Sequence, residues 1–217
     1  MKFPVIYIDC PWDFNVWSKK TAQRYADRHY PLMTPDRLLS LPLADVMEKD
    51  CAVFSWATFP NLPLALECGK AWGLKYSTTA FVWAKTRKSS ANRWVTVDEA
   101  ANWFMGMGYY TRSNAEICLL FTKGSPKRKS RAVRQLIVSP IMEHSRKPDE
   151  TYDRIEALMP APAECVAPYL EVFARRPRPG WVSVGNELTG RDIYDDLAIL
   201  AATETIDTAT IALTPAA

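Results

Sequence analysis

Six short stretches of this chain are mostly apolar in continuous runs rather than at every second position. They are Pro4 to Ile8, "CAVFSWAT" from Cys51, "STTAFVWAK" from Ser77, "AEICLLFTK" from Ala115, "YLEVFA" from Tyr169 and "WVSVG" from Trp181. A strand with one wet face alternates, whereas a strand covered on both faces does not. Between these stretches lie segments with helix signals. "MTPDRLLSL" offers Thr34 as N-cap, Pro35 at the first helical position and Asp36 in the first turn. "NLPLALECGKAWG" closes on Gly73, and "KPDETYDRIEALMP" opens at Pro148, carries Asp149 and Glu150 in its first turn and stops at Pro160. "VDEAANWF" has room for a short helix, and "QLIVSPI" is a further short apolar piece. Strand and helix in turn predict an α/β fold, a mostly parallel sheet with helices on both faces. Residues 1–190 read as one domain. Residues 191–217, drifting into Ala, Thr and acid, read as a partly disordered tail.

Composition narrows the function. With 217 residues, 48% of them hydrophobic, the chain has material for one buried core. Five scattered Cys, no Cys-x-x-Cys and two His argue against a structural metal site. The opening "MKFPVIYIDC" lacks a signal peptide pattern, and no apolar run is long enough to span a bilayer. The expectation is a cytoplasmic protein without membrane or metal. A net charge of +3 is too small to name a partner, so its distribution carries the argument. "KGSPKRKSRAVR", from Lys123 to Arg134, holds six Lys or Arg and no acid, and "KTRKSSANR", from Lys85 to Arg93, holds four. Both follow predicted strands, and both are read here as lying on the same side of the sheet as Asp9. Lys127, Arg128 and Lys129 are the expected phosphate contacts. A solvated surface is the plain alternative.

The first strand ends at "DCPW", residues 9–12. An exocyclic amine on a nucleobase is a poor nucleophile because its lone pair is shared with the ring. Two rigid acceptors for its N–H groups, in a dry pocket, free that pair. Asp9 supplies a carboxylate. The carbonyl of Cys10, held extended by Pro11, supplies a second acceptor. Trp12, read as an exposed ring, offers a face for a flipped base, at roughly 1–3 kcal/mol. A satisfied strand-end acid, a turn proline and a packed Trp would explain the same four residues.

"DCPW" resembles the Asp-Pro-Pro-Trp motif of the permuted, beta-class adenine-N6 methyltransferases, the family of the eukaryotic mRNA-adenosine methyltransferase with bacterial and phage DNA-modifying members. Further blocks resemble that family in its own order. They are "HYPLMTPDRLLSLP" from His29, "FVWAKT" from Phe81, "GYYTRSNAEICLLFTKG" from Gly108, "HSRKPDETYDRIEAL" from His144 and "YLEVFARRPRPGWVSVGNE" from Tyr169. The resemblance implies a Rossmann-like class I methyltransferase fold, circularly permuted so that the catalytic motif precedes the cofactor elements. It implies S-adenosyl-L-methionine as cofactor and the 6-amino group of adenine in DNA as acceptor, with RNA as the runner-up.

By that resemblance Asp9 meets both the target amine and the cofactor's amino group. Cys10, Pro11 and Trp12 complete the catalytic motif, although Cys10 stands where the family has its first Pro. Lys147 is assigned to the cofactor carboxylate, Arg175 to its ribose side, and Asn186 with Glu187 to the ribose hydroxyls. Tyr30 and Glu116 fall near the acceptor. Only eight residues precede Asp9, so the family's adenine-cradling segment has no counterpart here, and "GRDIYDDL" is the candidate substitute through Asp192 and Ile193. Two other readings remain. A cytosine-C5 methyltransferase would use Cys10 as nucleophile, but that chemistry comes with Pro-Cys order. A catalytically silent nucleic-acid-binding subunit would have lost its motif acid, which this chain retains.

Overall fold

The computed structural model describes residues 1–12, 32–90, 102–106, 108, 110–143, 146–159, 161 and 168–204. Seven strands form one sheet: β1 (Phe3–Ile8), β2 (Met47–Ala57), β3 (Lys75–Thr86), β4 (Ala115–Lys123), β5 (Leu136–Pro140), β6 (Tyr169–Val172) and β7 (Trp181–Val184). Their order is β5-β3-β4-β2-β1-β6-β7. Pairing is parallel for β1 with β2 and β6, for β6 with β7, and for β3 with β5. Only β4 runs the other way, antiparallel to both β2 and β3. The continuous apolar runs are thus the strands expected, and the short piece at 136–140 is the edge strand β5.

Helices cover both faces. On one face Ile6, Ile8 and Val53 pack with residues of α1 (Pro35–Leu39), α2 (Leu62–Ala71) and α5 (Ile193–Ala202). On the other face Val5, Tyr7, Phe54 and Trp56 pack with Tyr152 and Ile155 of α3 (Glu150–Leu158). Ile6, Ile8 and Val53 have no solvent exposure, so each contributes roughly 1.5–3 kcal/mol of burial. A Rossmann-like α/β sheet results, with the Asp9 strand early in the chain and β6 and β7 late.

One boundary and one placement differ from the sequence reading. The tail does not begin at residue 191: α5 starts at Ile193, capped by Asp192, whose side chain accepts the Tyr194 N–H. Ile193, Leu197 and Leu200 bury into the core. The "Ala, Thr and acid" composition concealed an amphipathic helix whose apolar positions fall one turn apart. Residues 205–217 lie outside the described residues, as does all of the expected helix at 97–104 except Asn102–Phe104.

The second correction concerns the basic segment. Because β4 is antiparallel, its end at Lys123 lies opposite Cys51, far from the end of the sheet that carries Asp9. Nine residues of strand separate the two ends of β4 by roughly 25–30 Å. Gly124 there has φ +63°, and a Cβ on it would meet Asp50. Asp50 Oδ1 accepts the Ser125 N–H at 2.6 Å, and the Lys129 N–H donates to Leu158 O, at the foot of α3. The segment that holds Lys127, Arg128 and Lys129 then enters β5 from below. It is not on the Asp9 side.

Candidate active site

Asp9 is the first residue beyond β1, and β1 lies between β2 and β6 near the middle of the sheet. Ligands of such sheets collect beyond the carboxyl ends of the strands. Here the ends of β1, β2, β6 and β7 meet the beginning of β4. Their residues line a cavity of about 200 Å³ that includes Asp9, Glu116, Lys147, Arg175, Asn186 and Glu187.

An alternating chain of charges forms its floor. Lys147 Nζ donates to Asp9 Oδ2 at 2.7 Å and lies 3.2 Å from Glu116 Oε2, and Lys85 pairs with Glu116 Oε1. The Lys147 side chain is 8% exposed and that of Asp9 is 27% exposed, opening into the cavity. Burial pulls the Lys147 ammonium down, but Asp9 and Glu116 outweigh it and hold it above the ordinary lysine value, so it is charged. Burial pushes Asp9 up, against the opposing pull of Lys147. Burial also pushes Glu116 up, but two cations, Lys147 and Lys85, win and leave it below the usual range. A buried charge is tolerated only when paired in this way. The antiparallel run of β4 makes the chain of charges possible, since it delivers Glu116 to the Asp9 end, in register with Trp83.

The wall from β6 and β7 is tight. Phe173 adopts φ 65°, an uncommon conformation for a bulky side chain, directly after β6 and at the cavity. Gly185 allows the two strand ends to close. A Cβ there would come within 2.5 Å of Ala174 O. The Ala174 N–H donates to Val184 O at 2.8 Å, and α4 (Asn186–Thr189) begins at once. Asn186 and Glu187 therefore stand beside Arg175, whose Nε is 3.4 Å from Glu187 Oε1.

The motif residues are placed differently from the sequence reading in two respects. Trp12 is not exposed: it is 4% accessible, and its Nε1–H donates to Trp56 O at 3.1 Å. It lines the cavity from within the core, so it offers a ligand a fixed wall rather than an open platform. The Cys10 carbonyl already accepts the Trp12 N–H at 2.9 Å, which leaves it one lone pair. The Cys10 thiol is buried and burial pushes it well above the usual thiol value. A thiol so held is not a nucleophile. Cys51, Cys68 and Cys118 are likewise free and buried. Tyr30 lies outside the described residues.

A second cavity, of about 690 Å³, shares Asp9, Lys147, Arg175 and Glu187 with the first and continues over α3. Lys88, Arg146 and Arg176 line it, and Asp149 pairs with both arginines. On its floor Glu171 is 8% exposed and accepts the Tyr152 hydroxyl at 2.7 Å. Burial raises Glu171 to about 7, against the opposing hydrogen bond from Tyr152. Sequence reasoning missed Lys85, Arg37 and Glu171. The one available signal was position: Lys85 ends a predicted strand, and Glu171 is an acid inside an apolar one.

The donor set suits a ligand with an ammonium, a carboxylate and vicinal hydroxyls. Asp9 can take the first, Lys147 the second, and Asn186 with Glu187 the third. Among the described residues no cluster of His, Cys, Asp and Glu is arranged to hold a metal, and no helix is long and apolar enough to cross a membrane.

Known proteins with similar sequences bear on this arrangement. The MT-A70 family profile matches residues 3–187. The chain is 30% identical over 209 residues to the type II methyltransferase M.MunI of Mycoplasma sp, covering 88% of this chain and 80% of that protein. It is 30% identical to an N(6)-adenosine-methyltransferase MT-A70-like protein of Arabidopsis thaliana, over 87% of this chain and 24% of that protein. It is 27% identical to the human N(6)-adenosine-methyltransferase catalytic subunit METTL3, over 89% of this chain and 30% of that protein, so it spans under a third of these eukaryotic relatives. With its fold, its motif order and this match over most of its length, the chain belongs to the MT-A70 methyltransferase family.

Proposed function

We propose that this protein transfers a methyl group from S-adenosylmethionine to the 6-amino group of adenine in DNA. The observation that carries this reading is the Asp9–Lys147–Glu116 chain of charges at the mouth of β1, with Asp9 opening into the cavity. The cofactor, when bound, supplies an electrophilic methyl on a sulfonium. Asp9 and the remaining lone pair of the Cys10 carbonyl accept the two N–H groups of the adenine amine, which draws its nitrogen toward a tetrahedral shape. With the cofactor bound, the nitrogen would take its methyl as the sulfonium becomes a thioether, and Asp9, whose basicity burial has increased, would receive the spare amine proton. Lys147 fixes the Asp9 carboxylate and meets the carboxylate end of the cofactor. Asn186, Glu187 and Arg175 hold its ribose side. Trp12 walls the base, and Glu116 orients Lys147. Tyr30 is assigned to the acceptor by resemblance.

The buried, protonated thiol of Cys10 supports adenine over cytosine-C5 chemistry, which needs a thiolate against the base. DNA is taken first on the match to the type II methyltransferase, 30% identical over 88% of this chain. RNA adenosine is the second reading, because the eukaryotic adenosine methyltransferases named above match nearly the whole of this chain. A silent subunit is disfavoured by the retained Asp9 and Lys147.

The test is incubation with labelled S-adenosylmethionine and separate DNA and RNA pools, followed by nucleoside mass analysis. N6-methyldeoxyadenosine is expected. Label on cytosine, or on no nucleoside while the cofactor binds, overturns the reading, and label on RNA alone moves it to the second.

A further inference from the structure

The first cavity does not end at the ribose-side residues. It continues to Arg37, Asp192 and Ile193, where the N-terminal ends of α1 and α5 meet. Arg37 Nη2 donates to both Asp192 oxygens, at 3.0 Å to Oδ1 and 2.8 Å to Oδ2. The Arg37 guanidinium lies 5.1 Å over the Tyr194 ring, and the Tyr194 hydroxyl is 2.8 Å from Ser40 Oγ. These contacts fix the pair although both side chains are about half exposed. The Asp192 carboxylate is thereby fixed in orientation. Its Oδ1 is committed to Arg37 and to the Tyr194 N–H at 3.0 Å, whereas Oδ2 takes only Arg37. Oδ2 keeps a lone pair, and Asp192 lines the cavity together with the apolar surfaces of Pro11, Met33, Phe173 and Ile193.

We propose that this end of the cavity seats the purine ring of the cofactor, with Asp192 Oδ2 accepting a hydrogen bond from its exocyclic amine. The inference rests on the cofactor reading given above. If the charged end of the ligand is at Asp9 and Lys147 and its hydroxyls at Asn186 and Glu187, its flat ring lies next along the wall. Asn186 to Asp192 is one short run, α4 followed by a turn at Gly190 with φ 71°. A carboxylate held by Arg37 accepts but does not donate. It therefore favours a 6-amino purine and repels the lone pairs of a 6-oxo purine. Arg37 is a positioning residue, acting through Asp192.

Calorimetry at pH 7.5 with S-adenosylhomocysteine and its deaminated analogue, S-inosylhomocysteine, tests this in the wild type, Asp192→Asn and Arg37→Gln. The wild type is expected to prefer the amino ligand by about tenfold or more. Asp192→Asn brings the two ligands to within about threefold, because a carboxamide presents either an acceptor or a donor. Asparagine caps a helix as well as aspartate, so an unchanged melting temperature is expected. Arg37→Gln lowers the preference with Asp192 left in place. An undiminished preference in both variants, or none in the wild type, overturns the purine assignment while leaving the cofactor reading intact. Wild-type protein that binds neither ligand overturns both.

Discussion

The two ends of the sheet carry charge in opposite ways. At the end bearing Asp9 one set of charged groups is largely buried and paired in series: Lys85 with Glu116, Glu116 with Lys147, Lys147 with Asp9. At the other end Lys127, Arg128, Lys129 and Arg131 are exposed. The second region is the more conspicuous in the sequence and the less organised in the structure. A run of one sign costs little on a solvated surface. A buried series of alternating signs persists only where several strands hold it in place, and that requirement marks a site more sharply than charge density does.

The largest effect expected from this contrast is at Asp9. Asp9→Ala should lower the rate of methyl transfer by about 10³-fold or more, measured with labelled cofactor, while the protein still folds. Activity within tenfold of wild type would remove the paired end from the chemistry. Next is Lys147→Met, which removes the cation between Asp9 and Glu116 and leaves Glu116 only Lys85. A loss of about 3–5 kcal/mol in denaturant unfolding is expected, with cofactor binding weakened at least tenfold. A variant as stable as wild type would mean that the series of charges is not mutually supporting.

Glu171 sharpens the same point through pH. Its carboxyl titrates near 7 in the folded chain, above its ordinary value, so the folded state binds the extra proton between about pH 4.5 and 7. Stability from this group is therefore present at low pH and lost as pH rises through 7. Glu171→Gln should flatten that slope and raise stability at pH 8 by on the order of 2–3 kcal/mol. Asp9 tilts in the same direction and leaves some slope behind. A steeper slope in the variant would contradict the assignment.

The comparison of the two ends is broken or upheld most directly with nucleic acid. Replacing Arg146 and Arg176 with Ala, at the rim of the second cavity, should raise the polynucleotide KM about tenfold and make its salt dependence shallower by one to two contacts. The smallest effect is expected from Lys127, Arg128 and Lys129 changed together to Ala. Methylation at about 0.15 M salt should stay within about twofold of wild type, since these residues lie a strand length, roughly 25–30 Å, from Asp9 at the opposite end of the sheet. A larger loss from the triple change than from the arginine pair would reverse this ranking.

The sequence grouped residues from distant parts of the chain that the fold brings together: Asp9, Cys10, Pro11, Glu116, Lys147, Arg175, Asn186 and Glu187 line the first cavity or its walls. What misled was inference about surroundings. Trp12 looked exposed beside a turn proline, yet its N–H found the Trp56 carbonyl. The Cys10 carbonyl looked available, yet the Trp12 amide reached it first. Residues after Arg191 looked frayed, yet Ile193, Leu197 and Leu200 complete a core face.

Local sequence was sufficient where the physics is local: continuous apolar runs marked the strands, and Thr34 with Pro35 marked the start of α1. The direction of β4 was different. No residue in "AEICLLFTK" states whether it runs with or against its neighbours, because an apolar strand buried on both faces suits either sense. Only the assembled sheet decided it, through pairing with β2 and β3 on either side. That single choice brought Glu116 to Lys147 and sent Lys127, Arg128 and Lys129 to the opposite end.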